Sequence, residues 1–149
     1  MSIGLQWAEV GVSTTETPDG ALILRNTIPL ADYPANLLTW LHQNAARFPD
    51  KPFLQERDEQ DQWRGLTYVE TLMAVNRLSN GLVSMGLTAD RPVAILSANC
   101  IPMALIQFAA MQVGLPVTPI SYAYSVRSQT GSLIKHILDL INASILVMS

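Results

Sequence analysis

The sequence has little charge. Asp, Glu, Lys and Arg together make up 14% of its 149 residues, against roughly 25% in an ordinary soluble domain. None of these four residue types occurs between residues 92 and 126. The formal net charge of -3 provides no long-range attraction to nucleic acid or anionic lipid, so we expect neither as a partner.

Cysteine is scarce, and we expect no secretory leader. Cys100 is the single cysteine, so no disulfide can form within the chain, and a reducing compartment is compatible with this count. Residues 1–10 have neither the basic start nor the apolar run of a signal peptide. We therefore expect a cytoplasmic protein.

The uncharged stretch 92–126 has two competing explanations, a membrane span or a segment buried by protein. Pro102, Pro116 and Pro119 divide it into short pieces, whereas a spanning helix needs about 20 predominantly apolar residues in one element. Parallel strands covered on both faces are also uniformly apolar. The sequence therefore favours a buried β-α-β unit.

The first half of the chain predicts hairpins and two helices. Residues 9–13 and 21–26 resemble strands joined by a turn, and 53–57 with 62–66 form a similar pair. A helix after Pro34 should bury Leu38, Leu41, Ala45 and Phe48, which are spaced three or four residues apart. A capping box, Thr67 to Glu70, should begin a helix that ends near Gly86, and its expected apolar stripe is Val69, Leu72, Val75, Leu78, Leu82 and Met85.

The second half alternates strand and helix. Strands are predicted near residues 92–97, 117–120 and 144–148. Between them lie a helix capped by Asn99, apolar on almost all sides and expected to be deeply buried, and a second helix over 130–141 capped by Thr130. This order predicts an α/β fold, a partial doubly wound parallel sheet with flanking helices.

Few residues are candidates for chemistry. His42 and His136 have no partner at metal-ligand spacing, and Cys100 lacks an identifiable base, so surface histidines and a buried small cysteine are the simpler interpretations. The segment 128–132 with Lys135 superficially resembles a phosphate loop, but it has a single glycine. We predict no catalytic residue and no metal ligand in this chain.

An ordered set of segments resembles the AMP-forming acyl-CoA synthetases, a superfamily of adenylate-forming ligases. The segments are Tyr33-Pro34, Leu37, Trp40-Leu41, Phe48-Pro49-Asp50-Lys51, Phe53-Leu54, Leu66-Thr67-Tyr68, Gly86-Leu87, the strand 92–99 that ends in Asn99, and the helix and turn 109–116. Three further segments are closest to the feruloyl-CoA synthetase branch, namely 119–121, 123–125 and 135–137.

This resemblance implies a two-step reaction. A carboxylate attacks the α-phosphate of ATP to give an acyl-adenylate and pyrophosphate, and the thiol of CoA then attacks the adenylate. In the family, the groups that hold Mg²⁺ and phosphate follow the segment present here. Residues 31–149 are therefore expected to be the amino-terminal part of the large AMP-binding domain, truncated before the phosphate-binding motif, with 1–30 as an irregular segment containing a hairpin.

The resemblance also implies that ATP, Mg²⁺, CoA and an aromatic carboxylic acid are ligands of the parent enzyme, while this chain alone binds no cofactor and is inactive. The alternative is a non-catalytic truncated product or a scaffold piece that associates with a separate remainder. The expected partners are the carboxyl-terminal remainder of the ligase or a second copy of the chain.

The turn 121–128 follows a predicted strand and carries Tyr122, Tyr124 and Arg127. In parallel α/β sheets ligands bind beyond the carboxyl ends of strands. Tyr124 and Arg127 are therefore candidates for the vicinity of CoA in the parent enzyme, the alternative being a solvent-exposed turn.

Overall fold

The chain divides into two compact units, Met1–Pro34 and Ala35–Ser149. The computed structural model describes residues 9–126 and 130–148. In the first unit, β1 (Val12–Glu16) pairs antiparallel with β2 (Leu22–Asn26). The predicted hairpin is confirmed, although β1 begins three residues later than expected. Every residue of both strands is exposed.

The second unit begins with helix α1 (Leu37–Arg47), whose first turn is capped by the side chain of Asn36. Leu38, Leu41 and Ala45 are buried, as their spacing predicted. Phe48 is 40% exposed, which contradicts the prediction. Its backbone has already left the helix, so its side chain no longer follows the helical stripe.

A second hairpin leads into helix α2 (Tyr68–Ser84). It consists of β3 (Pro52–Arg57) and β4 (Trp63–Thr67), which pair antiparallel. The capping box is confirmed, because the Thr67 hydroxyl accepts from the Glu70 N–H while the Glu70 carboxylate accepts from the Thr67 N–H.

The buried face of α2 differs from the predicted apolar stripe. Val75 and Leu82 are buried, but the other buried residues are Thr71 and Ser79. The Thr71 hydroxyl donates to the Thr67 carbonyl at 2.7 Å, and the Ser79 hydroxyl donates to the Ala109 carbonyl at 3.1 Å. A buried hydroxyl costs little when it is hydrogen-bonded. Leu78 and Met85, which belong to the predicted stripe, are exposed instead.

Three parallel strands form the centre of the second unit, in the order β6-β5-β7. The predicted parallel sheet and α/β class are thus confirmed. The elements are β5 (Val93–Ser97), α3 (Ile101–Gln112), β6 (Val117–Ser121), the single-turn helix α4 (Ala123–Val126), α5 (Ser132–Ile141) and β7 (Ile145–Met148).

The two faces of this sheet are covered by different helices. Val93 and Ile95 face a core shared with α1, α2 and α3. Ala94, Leu96 and Ile120 face the opposite side, where α5 packs through Ile134, Ile137, Leu138 and Ile141. The chain therefore moves from β5 to β6 over one face and returns to β7 over the other, which is doubly wound topology.

The helix starts and the burial of α3 require three corrections. Cys100, not Asn99, occupies the N-cap position of α3, and Gly131, not Thr130, occupies that of α5. Helix α3 is also less buried than predicted, because Ile106, Ala109 and Ala110 are buried while Met111 is 45% exposed. Among the described residues, no helix combines the length and the apolar character needed to cross a membrane.

Candidate functional site

A cleft of about 480 Å³ opens at the carboxyl ends of β5 and β6. These strands are neighbours, yet the chain leaves β5 toward α3 on one face and leaves β6 toward α5 on the other. This divergence is the topological switch point at which open α/β sheets bind ligands. The lining residues are Ser97, Ala98, Asn99, Met103, Pro119, Ile120, Ser121, Tyr122 and Ala123.

The cleft is lined by neutral groups. Ser97 is 7% exposed, and its hydroxyl donates to the Ala98 carbonyl at 2.7 Å and lies 3.4 Å from the Cys100 sulfur. Tyr122 is 48% exposed at the rim. None of the described lining residues carries a charge. The cleft can therefore contact an apolar or hydrogen-bonding group, but these side chains offer no countercharge to a phosphate.

The predicted CoA-proximal residues are placed only in part. Tyr124 lies on α4, directly after β6, and is 40% exposed, but it does not line the cleft. Arg127 lies outside the described residues. Tyr122, which the sequence placed in the same turn without assigning it a role, is the tyrosine that does line the cleft. Its position immediately after the strand was the signal that could have identified it.

The other candidates lie elsewhere. His42 and His136 are exposed, as expected, and the His42 Nε2 lies 3.3 Å from the Gln112 Oε1. Cys100 is half-buried, so the prediction of a buried small residue was wrong. Over residues 9–126 and 130–148, no group of three or more His, Cys, Asp or Glu residues is placed to hold a metal ion.

The segment 128–132 with Lys135, which superficially resembles a phosphate loop, does not form a phosphate-binding loop in the residues that the structure describes. The Lys135 ammonium is paired with the Asp139 carboxylate at 2.6 Å, and both side chains are exposed. The Thr130 hydroxyl accepts from the Ser132 N–H at 3.4 Å, which is a local turn contact. Residues 128 and 129 of this segment lie outside the described part.

Hydrogen bonds from threonine hydroxyls lower the pKa of two carboxyl groups. Thr88 holds the pKa of Asp90 below its ordinary value of 3.8, and Thr17 does the same for Asp19. Both carboxylates belong to exposed turns, and neither residue lines the cleft. These shifts therefore reflect turn geometry and mark neither residue as an acid or base for chemistry in the cleft.

Comparison with known proteins adds family and fold information. A family model described as AMP-binding enzyme matches residues 41–148. No curated protein sequence matches the chain. The solved structure of fatty acid AMP ligase from Legionella pneumophila is similar with a TM-score of 0.66 and 16% identity, over 75% of this chain and 19% of that one. A second structure of an L. pneumophila fatty acyl-adenylate ligase, with a TM-score of 0.67, 16% identity and the same coverage, contains acyl adenylate and pyrophosphate.

The N-terminal subdomain of NpsA from Klebsiella oxytoca, in complex with 3-hydroxyanthranilyl-AMSN, is also similar. Its TM-score is 0.61 at 22% identity, over 75% of this chain and 26% of that one. Identities this low show a shared fold, and the chain spans only 19–26% of the length of these three proteins. Because the family model covers most of the chain, including the doubly wound sheet and its cleft, the chain belongs to the AMP-binding enzyme family.

Proposed function

We propose that residues 31–149 are the amino-terminal part of the AMP-binding domain of an ATP-dependent carboxylic acid–CoA ligase of the feruloyl-CoA synthetase type, located in the cytoplasm. Residues 1–30 form a separate segment with a hairpin. The reaction would convert acid, ATP and CoA to acyl-CoA, AMP and pyrophosphate. The family match over residues 41–148 supports adenylation of an acid, and the segments quoted above support the branch.

The observation that carries this proposal is the cleft at the carboxyl ends of β5 and β6, within the family match. In a doubly wound sheet this is where ligands bind. The two strands fix the positions of Ser97 and Ser121 in its lining, because these residues are paired with each other in register. The chain would therefore contribute a rigid wall of the ligand site.

The family implies ATP and Mg²⁺, and the described residues do not fit either phosphate or metal. The cleft has no charged lining residue, and no group of three potential metal ligands is present in residues 9–126 and 130–148. Adenylation brings ATP and a carboxylate together, so positive groups must offset the repulsion between their negative charges. We therefore assign the phosphate and metal chemistry to the remainder of the ligase.

The proposal predicts that this chain alone does not release pyrophosphate from ATP in the presence of ferulate, with or without CoA. Adding the remainder of the ligase should restore turnover and give a complex that sediments faster than either part. Within the described residues the sheet ends at β6 on one side and at β7 on the other, and these edges can pair with added strands.

The control is the remainder without this chain, which should be inactive because part of its sheet is missing. Turnover by the chain alone that copurifies with it through two columns would contradict the division of roles. A complex that forms without activity would support the alternative, a non-catalytic scaffold piece. Sedimentation of the chain alone reports association with a second copy.

The CoA site is a further part of the proposal. Tyr124 on α4 and Arg127 follow β6, and a guanidinium binds phosphate oxygens well. Replacing Arg127 by Ala in the full-length ligase should raise the KM for CoA about ten- to a hundredfold, since a charge-assisted hydrogen bond contributes roughly 1.5–3 kcal/mol. Pyrophosphate release without CoA should not change. An unchanged KM would remove Arg127 from the site, and Lys135→Ala, which breaks an exposed ion pair, is the matched control.

A further inference from the structure

Helix α3 begins without a capping side chain of its own. The N-cap residue, Cys100, makes no side-chain capping bond, and the first turn contains no acidic residue. Pro102 in that turn has no N–H. The N–H of Ile101 is the first backbone donor of the helix, and it needs a partner from outside the helix.

That partner is Glu56 on β3, which is 45 positions away in the sequence. The Glu56 Oε2 accepts from the Ile101 N–H at 2.7 Å, and the Glu56 Oε1 accepts from the Arg64 guanidinium at 2.7 Å. The Glu56 side chain is 18% exposed, whereas that of Arg64 is 65% exposed. Each carboxylate oxygen therefore has its own donor, and the contact with the helix is the more shielded of the two.

We infer that the Glu56 carboxylate caps the N-terminus of α3 from another element, in place of the side chain of the N-cap residue, and that it positions one wall of the cleft. The first turn of α3 carries Met103, and the residues before it include Asn99, both of which line the cleft. A carboxylate at a helix N-terminus is favoured by the helix dipole and by a charge-assisted hydrogen bond. Glu56 thus ties this wall to the β3–β4 hairpin.

Glu56 also determines which ligands this wall accepts. An uncapped helix N-terminus attracts anions such as phosphate. Here the carboxylate of the protein occupies that position and adds a negative charge, while Arg64 lies on its solvent side. Phosphate groups are therefore excluded from the start of α3, and the wall presents Asn99 and Met103 to an uncharged part of a ligand.

Hydrogen exchange of the Ile101 amide in this chain tests the inference. In Glu56→Ala the amide should exchange about ten- to a hundredfold faster, because it loses a hydrogen bond to a charged group. Glu56→Gln keeps an acceptor and should restore most of the protection. In wild type, inorganic phosphate should leave the Ile101 signal unchanged, and in Glu56→Ala it should slow exchange again.

Thr67→Ala is the matched control, because it removes the cap of α2 and leaves α3 untouched. Its Ile101 amide should exchange at the wild-type rate. Equal protection in wild type and Glu56→Ala would overturn the inference, as would a Glu56→Gln chain that exchanges as fast as Glu56→Ala. A uniform loss of protection across α2 and α3 would also overturn it, because it would show a general loss of stability.

Discussion

Replacing Ile95 by Ala is expected to lower the free energy of unfolding by about 2–5 kcal/mol. Ile95 is fully buried in β5, the central strand, where it lies opposite Pro119 of β6 and Val147 of β7. Truncation would leave a cavity that the flanking strands and helices cannot fill without moving. Urea unfolding followed by circular dichroism measures the change.

Leu140→Ala is the control for this prediction. It removes a similar volume from the surface of α5, where Leu140 is 74% exposed, so the change should stay within about 0.5 kcal/mol. If both variants lost the same stability, the core would not be centred on β5. Small domains have about 5–15 kcal/mol of stability. A loss of about 5 kcal/mol would leave a domain at the lower end of that range partly unfolded in water.

Gly65→Ala is expected to lower the free energy of unfolding by about 1–3 kcal/mol, the usual cost of overpacking. A Cβ at Gly65 would lie 2.3 Å from the backbone carbonyl oxygen of Leu54 on the paired strand. The β3–β4 pairing is already irregular between Pro52 and Leu54, and a backbone atom cannot rotate away as a side chain can. The thermal midpoint of unfolding should therefore fall.

Gly81→Ala should have the opposite sign. Gly81 lies inside α2, and a Cβ there would meet nothing within 4 Å. Alanine in a helix interior is favoured over glycine by about 0.5–1 kcal/mol. The two substitutions add the same Cβ atom and differ in the space that is available to it. A lower stability for both variants would contradict the geometry of the β3–β4 hairpin or of α2.

Local sequence patterns predicted the elements because their causes are local. The Thr67 and Glu70 side chains cap the helix on which they lie, so a spacing of three residues was sufficient to identify it. The strand and helix alternation after residue 92 similarly predicted three parallel strands. Such features depend on neighbours within one turn or one strand.

Features that depend on distant contacts could not be predicted in this way. Asn99 satisfied the sequence rule for a helix cap, but α3 is capped by Glu56 from another hairpin. Ser79 is polar and was not part of the predicted apolar stripe, yet it is buried, and the Ala109 carbonyl accepts from its hydroxyl. Neither pairing leaves a signal at a fixed spacing.

The position of the cleft could be predicted from the sequence, but its lining residues could not. The sequence indicated that the turn after β6 would lie at a ligand-binding edge, and the structure places Tyr122 there. The neighbour of β6 in the sheet is β5, because the strand order is β6-β5-β7. That order is set by the packing of α3 and α5 on opposite faces, so Ser97 and Met103 could not be assigned to the same cleft beforehand.

The same strand order has a kinetic consequence for a newly synthesised chain. Strand β6 is synthesised before β7, so β5 can pair with β6 first, but its other edge waits for β7, which follows about 50 residues later. At a synthesis rate of about 5–20 residues per second, that edge stays unpaired for about 3–10 s. During this interval the unpaired backbone edge of an uncharged strand, apolar except for Ser97, is available to other chains, and binding by chaperones would be most useful then.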